Sequence, residues 1–429
     1  MMGHRLLVTL VAAVLVASCA SGKRSASDEP TLKSLEDRKL AIDTDGRVAG
    51  GREKAIAGYR AFVRTAPQDP RRPEALRRLG DLELQSSEDR ALDGGADSAR
   101  TALGAADYRN ATKLYEDLLR AYPNYSGNDR VLYQLSKAQE QGGDLNAALA
   151  SLTRLVNDYP NTPHRNEAQF RRGELLFTVQ DYRGAEAAYR DIIASGDGST
   201  YYERALYMRG WSLFKLGRQE EALESLFTVL DRRLIGRDLG LATEEIPALS
   251  RAERELVDDT FRVMSLSLAN LNGAESLPPY FEKPTRREYE FRVYGALGDL
   301  YLKQDRIKDA AETYNSFGRR HPTHLQAPLL QVRAIEAYQG AQFATPALEA
   351  KKEFVTRYGV TSDYRRVNKP ADYERVMPYV KKHLDELARH YHAQAQKTKS
   401  SASYQEAAGW YRIYLTSFPN DPQAAQMNF

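Results

Sequence analysis

EAQFRRGELLFTVQDYRGAEAAYRDI, residues 167–192, decides the fold of this chain. Gly173 and Ala185 stand twelve residues apart, and Ala185, Tyr189 and Ile192 keep the i, i+4, i+7 spacing of one helix face. Asp181 and Tyr182 interrupt the pattern between them, so the stretch predicts two helices joined by a turn. Small residues have a physical reason here. Where two antiparallel helices cross closely, any side chain larger than a methyl holds the backbones apart.

The same spacing recurs outward from this stretch, at Gly210/Ala222, Gly298/Ala310 and, with serine for glycine, Ser136/Ala148. A proline follows the alanine by twelve residues five times, at Ala55/Pro67, Ala111/Pro123, Ala148/Pro160, Ala310/Pro322 and Ala407/Pro419. Proline cannot continue a helix, and it biases the residue before it (Tyr122, Tyr159, His321 or Phe418) away from helical backbone. The alanines fall at 55, 111, 148, 185, 222, 310, 347 and 407, so four of the seven intervals are 37 residues. A period of that length means stacked supersecondary units. Each second helix repeats one stripe, as in Ala111/Tyr115/Leu118, Ala310/Tyr314/Phe317 and Ala407/Tyr411/Tyr414.

These residues resemble the tetratricopeptide repeat. The opening stretch carries the family's glycine at Gly173, turn at Asp181-Tyr182, and alanine and aromatic at Ala185 and Tyr189; ALYMRGWSLFKLGRQEEALESLF (205–227) and VYGALGDLYLKQDRIKDAAETYNSFGRRHP (293–322) match equally well. The period exceeds the family's usual ~34 residues by an extension after the proline, as in NTPHRNEA. That variant, with its YP endings, is similar to periplasmic repeat lipoproteins, among them the β-barrel-assembly lipoprotein and the Tol-Pal cell-division coordinator. The resemblance covers residues 54–429 and implies an all-α solenoid of helical hairpins wound as a right-handed superhelix.

The N-terminus reads as an export signal. His4 and Arg5 precede an apolar run from Leu6 to Val16, too short for the ~20 residues that span a bilayer. VASC, residues 16–19, matches a lipobox, in which a bacterial lipoprotein is cleaved just before the cysteine and acylated on it. Cys19 is the one cysteine of the chain, which excludes an internal disulfide. The expected organisation is a signal peptide over 1–18, a flexible tether over 19–52, repeats over 53–233, an insertion over 234–287 and further repeats over 288–429. With Ala20 and Ser21 after the cysteine, the mature protein is expected at the outer membrane, held by lipid and facing the periplasm.

Charge gives no sign of a nucleic-acid partner: 61 Lys and Arg face 58 Asp and Glu, mixed along the helices. Three intervals exceed the period. Polar residues SSEDRALDGGADSART fill the first; a helix near 251–270 and the loop LNGAESLPPYFEKPTRRE fill the second; a long helix from Asp372 to Lys397 fills the third. Pro278, Pro279 and Pro284 favour extended polyproline geometry around Tyr280 and Phe281, as a recognition loop or as a cover over apolar helices. Residues from Gln423 on read as the start of another first helix.

No glycine-rich phosphate loop, nucleophile elbow or H-E-x-x-H motif occurs, so neither catalytic residues nor a cofactor or metal is expected. His383, His390 and His392 sit in HLDELARHYH, where His383 and His390 share a helix face with Glu386 between them; without cysteine or a second ligand segment these read as polar side chains facing water rather than as a metal site. The resemblance implies a concave groove lined from the first helices. At the implied positions stand Tyr133, Lys137 and Glu140, then Phe170, Glu174 and Phe177, then Tyr207, Trp211 and Phe214, and later Gly295, Asp299 and Leu302. Aromatics concentrate in the central units, which predicts capture of a peptide or helix by Tyr133, Phe170, Phe177, Tyr207, Trp211 and Phe214. The competing reading is that several of them pack between helices.

The expectation for function is a non-enzymatic, lipid-anchored periplasmic scaffold that joins envelope proteins. The alternative is the targeting half of a longer cell-wall or polysaccharide enzyme with catalysis beyond residue 429. A carrier of small ligands is disfavoured, because solenoids expose grooves rather than closed pockets.

Overall fold

The computed structural model describes residues 50–93, 103–240 and 246–424. They form helices throughout, with no strand among the described residues. Two compact units are present, residues 1–67 and 68–429. The described part of the first is α1 (Gly51–Thr65), which carries Ala55 and has no buried residue.

The second unit stacks hairpins in chain order. They are α2 (Arg72–Asp93) with α3 (Leu103–Ala121), α4 (Asn128–Gln141) with α5 (Leu145–Asp158), α6 (Arg165–Thr178) with α7 (Tyr182–Ala194), and α8 (Tyr202–Lys215) with α9 (Gln219–Leu234). A lone helix α10 (Arg251–Ala269) follows. Then come α11 (Glu290–Lys303) with α12 (Ile307–Arg320), α13 (Ala327–Gly340) with α14 (Ala344–Tyr358), the short α15 (Asp363–Val367) and α16 (Pro370–Glu374), and α17 (Met377–Thr398) with α18 (Ser401–Ser417). The single helix expected from Asp372 is thus two, broken before Met377.

Every diagnostic alanine except Ala55 sits on the second helix of a hairpin, and all but Ala55 are buried. The glycines work differently from the expectation. Their close partner is not the alanine but the large residue one turn after it. A Cβ on Gly173 would lie 2.6 Å from the Tyr189 ring, on Gly80 2.6 Å from Tyr115, and on Gly210 2.6 Å from Leu226; on Gly298 it would fall on Tyr314. The hairpin therefore closes by letting a ring lie against bare backbone. Tyr115, Tyr189 and Tyr314 are fully buried in consequence.

Turns share one device. Seven residues after the small residue the backbone enters the left-handed region, at Gly143, Gln180, Gly217 and Asp305, with φ of +84°, +66°, +74° and +58°. Asp144 and Asp181 then cap α5 and α7, accepting from the amides of Ala147 and Gly184 at 2.9 Å.

The insertion is integrated into the stack. α10 packs on α8, α9 and α11, in the place of a first helix. Its second helix is replaced by three 3-10 turns, Gly273–Ser276, Pro278–Phe281 and Pro284–Glu288. The extended polyproline geometry expected there does not form, because Pro278 and Pro284 each open a helical turn, where a fixed φ and a missing N–H cost nothing. The loop acts as a cover. Phe281 is fully buried, Tyr280 stacks on Phe227 at 4.8 Å, and the buried Arg286 guanidinium lies 4.8 Å from the centre of the same Phe227 ring while donating to Asp231 at 2.9 Å.

Candidate functional site

First helices line one side of the stack, and the residue after the small one sets what each unit presents there. In three units it is an acid that ties hairpins together. Asp81, after Gly80, accepts from the Tyr115 hydroxyl at 2.8 Å and pairs with Arg130 of the next first helix at 3.6 Å. Asp299, after Gly298, accepts from Tyr314 at 2.5 Å and pairs with Arg333. Glu174, after Gly173, pairs with Arg204 at 3.4 Å. After Gly210 this acid is replaced by Trp211, and the second-helix tyrosine by Leu226. An arginine still comes across from the next helix: Arg262 of α10 lies 5.0 Å from the Trp211 ring, a cation over an aromatic face instead of an ion pair.

The aromatics expected in the groove divide into two groups. Tyr207, Trp211 and Phe214 share α8 and stay half-buried. The indole N–H of Trp211 donates to the Tyr207 hydroxyl at 2.8 Å, that hydroxyl donates to Asp259 on α10, and Phe214 meets Trp211 edge-on at 5.7 Å. Burial, reinforced by the bond to Asp259, pushes the Tyr207 hydroxyl up to about 12. Phe177, on α6, is also half-buried and packs against Tyr182 at 5.1 Å.

Tyr133 and Phe170 are not open to a partner. Tyr133 is 7% exposed, stacked on His164 at 4.7 Å with its hydroxyl on Glu167; Phe170 is 2% exposed, between Tyr189 and Tyr201. Both point into the seam between successive hairpins, so their burial serves packing. Each such ring stabilises the stack by about 1.5–3 kcal/mol.

Beside Trp211 the first helices part around a cleft of about 490 Å³ between α10, α11 and α13. Arg262, Arg292, Lys303 and Arg333 line it with Asp258 and Asp299. Burial pushes the Asp258 carboxyl up and the Arg292 guanidinium down, each partly offset by the other. The sequence reading missed the α10 residues because it treated 251–270 as an insertion. A signal was present: FRVMSLSLANL (261–271) aligns with LYMRGWSLFKL (206–216), placing Ser265 at Gly210 and Ser267 at Ser212, and all four are buried.

The histidines do not converge. His383 is buried against Phe354 with Nδ1 3.3 Å from Glu386, which Lys351 holds at 2.8 Å, whereas His390 is exposed. No group of His, Cys, Asp and Glu among the described residues is arranged to hold a metal. Nor is any described helix long and apolar enough to cross a membrane.

Residues 96–192 match the family model YfiO, an outer membrane lipoprotein, and residues 170–236 and 296–324 match tetratricopeptide repeat models. No curated protein matches the sequence significantly. Among solved structures the chain is similar to MamA protein, with 18% identity over 50% of this chain and 93% of that one at a TM-score of 0.32. A tetratricopeptide repeat protein from Parabacteroides merdae shows 13% identity over 70% of this chain and 98% of that one at 0.31. BtubC from P. vanneervenii shows 14% over 58% of this chain and 92% of that one at 0.34. The hairpins and the repeat matches on both sides of α10 make this an all-α tetratricopeptide-repeat solenoid, an architecture that supports protein–protein interaction, with a central segment like that of an outer membrane lipoprotein family.

Proposed function

We propose that this chain is a non-enzymatic scaffold, anchored by lipid on Cys19 to the outer membrane and facing the periplasm, that docks other envelope proteins on its first helices. One observation carries the docking surface: Tyr207, Trp211 and Phe214 remain half-buried on one helix face, with Trp211 standing where three other units place a paired acid. Large rings already fixed by a hydrogen bond and an edge contact offer contact area at little entropic cost. The address is supported by the lipobox at 16–19 and by the lipoprotein family match; Cys19 itself lies outside the described residues.

Photo-crosslinking in intact envelopes tests this. A crosslinker at Phe214 is expected to trap a discrete protein adduct, whereas one at Arg154, on the second helix α5, is not. Equal labelling from both positions, or none from Phe214, rules the groove out.

A further inference from the structure

The cleft beside Trp211 is more specific in charge than the groove as a whole. Four cations line it against two carboxylates, and a positive surplus persists when Asp259, which holds Arg262 from outside the cleft, is counted. Asp299 is already engaged by Tyr314 and Arg333. Lys303, in contrast, is exposed at the end of α11 and forms no ion pair among the described residues. Phe261 and Phe291 close the floor, both nearly buried.

Arg262 joins this cleft to the aromatic surface. It lines the cleft and covers the Trp211 ring at 5.0 Å, while Lys215 approaches the same ring at 5.9 Å. A small anion would use the cations and leave Trp211 and Phe214 uncovered. A polypeptide with carboxylates and an apolar side chain would use both.

We propose that the cleft takes an acidic segment of a partner protein, with carboxylates on Arg262, Lys303 and Arg333 and an apolar side chain on Trp211 and Phe214. This rests on the groove being a docking surface. Guanidinium groups bind carboxylates through paired N–H donors, and complementary charge speeds encounter and rejects basic competitors. The site lies outside residues 96–192, so the lipoprotein match does not assign it.

Fluorescence anisotropy on the full chain in detergent tests the proposal with two labelled peptides of about a dozen residues. One is rich in Asp, Glu and Phe; the other replaces the acids with Asn and Gln. The acidic peptide is expected to bind at least about tenfold tighter, and to weaken as salt rises. Lys303→Glu should weaken the acidic peptide about tenfold, leave the amide peptide unchanged and keep the thermal melt of the parent. Trp211→Ala should weaken both. Equal affinity for the two peptides, or indifference of the acidic one to Lys303→Glu, overturns the charge proposal and leaves the groove standing. Binding of neither peptide overturns both. Full competition by pyrophosphate at matched ionic strength makes it a small-anion site and overturns the peptide assignment.

Discussion

Trp211 donates its indole N–H to the Tyr207 hydroxyl 2.8 Å away, one turn earlier on α8, and Tyr207 passes a hydrogen bond on to Asp259 of the next first helix. The relay crosses from one hairpin to its neighbour at the unit that lacks the acid found after Gly80, Gly173 and Gly298. It holds the indole in one orientation without burying it. Trp211→Phe keeps most of the ring but removes the donor, and is expected to weaken partner binding less than Trp211→Ala, which should cost about 2 kcal/mol or more. Isothermal titration against the crosslinked partner measures both. If Trp211→Ala unfolds the chain instead, the indole belongs to the core.

Glycines at the hairpin crossings should differ by the stiffness of what they face. Gly298 lies against the Tyr314 ring, which Asp299 fixes through its hydroxyl; Gly210 lies against Cδ2 and Cγ of Leu226, a buried side chain that no hydrogen bond holds in place. Replacing a helical glycine with alanine gains up to about 1 kcal/mol of propensity, while overpacking costs about 1–3 kcal/mol. Gly298→Ala is therefore expected to lower the urea midpoint and Gly210→Ala to lower it less. The reverse order would mean that the tyrosine moves more easily than the leucine.

Asp231 should be the residue on which the irregular segment depends. It accepts from Arg286, whose side chain is 5% exposed, and from the Tyr289 hydroxyl at 2.5 Å. Asp231→Ala leaves a buried guanidinium without its carboxylate, a loss of about 3–5 kcal/mol when one member of such a pair is removed. Hydrogen exchange is expected to rise first in residues 273–289. Uniform loss of protection along the stack would show that the segment is not a separate element of stability.

Much of this architecture was legible because its constraints are local. Ala148, Ala185, Ala222 and Ala310 report close crossings directly, and each falls on a second helix. Other features depend on partners that spacing alone does not name. Glycine's nearest neighbour is the ring at Tyr189 or Tyr314, one turn after the alanine, rather than the alanine itself. Gln180 and Asp305 occupy left-handed turns where Gly143 and Gly217 advertise them, so two of four turns carried no glycine signal. At the site, Tyr207, Trp211 and Phe214 could be placed from the register. Tyr133 and Phe170 share that register yet are buried, because His164, Glu167 and Tyr201 from neighbouring positions close over them.

Lipid attachment is testable without knowledge of the partner. Cys19 is expected to become the mature N-terminus and carry acyl chains. Cys19→Ser should abolish labelling with a fatty-acid probe and leave the protein unprocessed or in the soluble fraction. A processed mutant that still sediments with membranes would require a second anchor.

Stability should also fall in mild acid, for a reason seated at one imidazole. His324 packs against Phe317 at 5.1 Å and Phe291 at 5.9 Å, and its Nδ1 accepts from the Gln326 amide at 3.1 Å, a bond that an imidazolium could not accept. Burial, aided by neighbouring His321, lowers its pKa from 6.5 to about 4. Between these values the unfolded chain binds a proton that the folded chain refuses, so unfolding gains as pH drops through that window and the loss is complete near pH 4. The full effect is on the order of 3 kcal/mol. His321 stays close to Glu290 at 3.0 Å, so the two histidines are not equivalent. His324→Asn, which keeps an acceptor for the Gln326 amide but cannot titrate, is expected to flatten the dependence of the thermal midpoint on pH between about 6.5 and 4. An unchanged slope would place the acid sensitivity elsewhere in the stack.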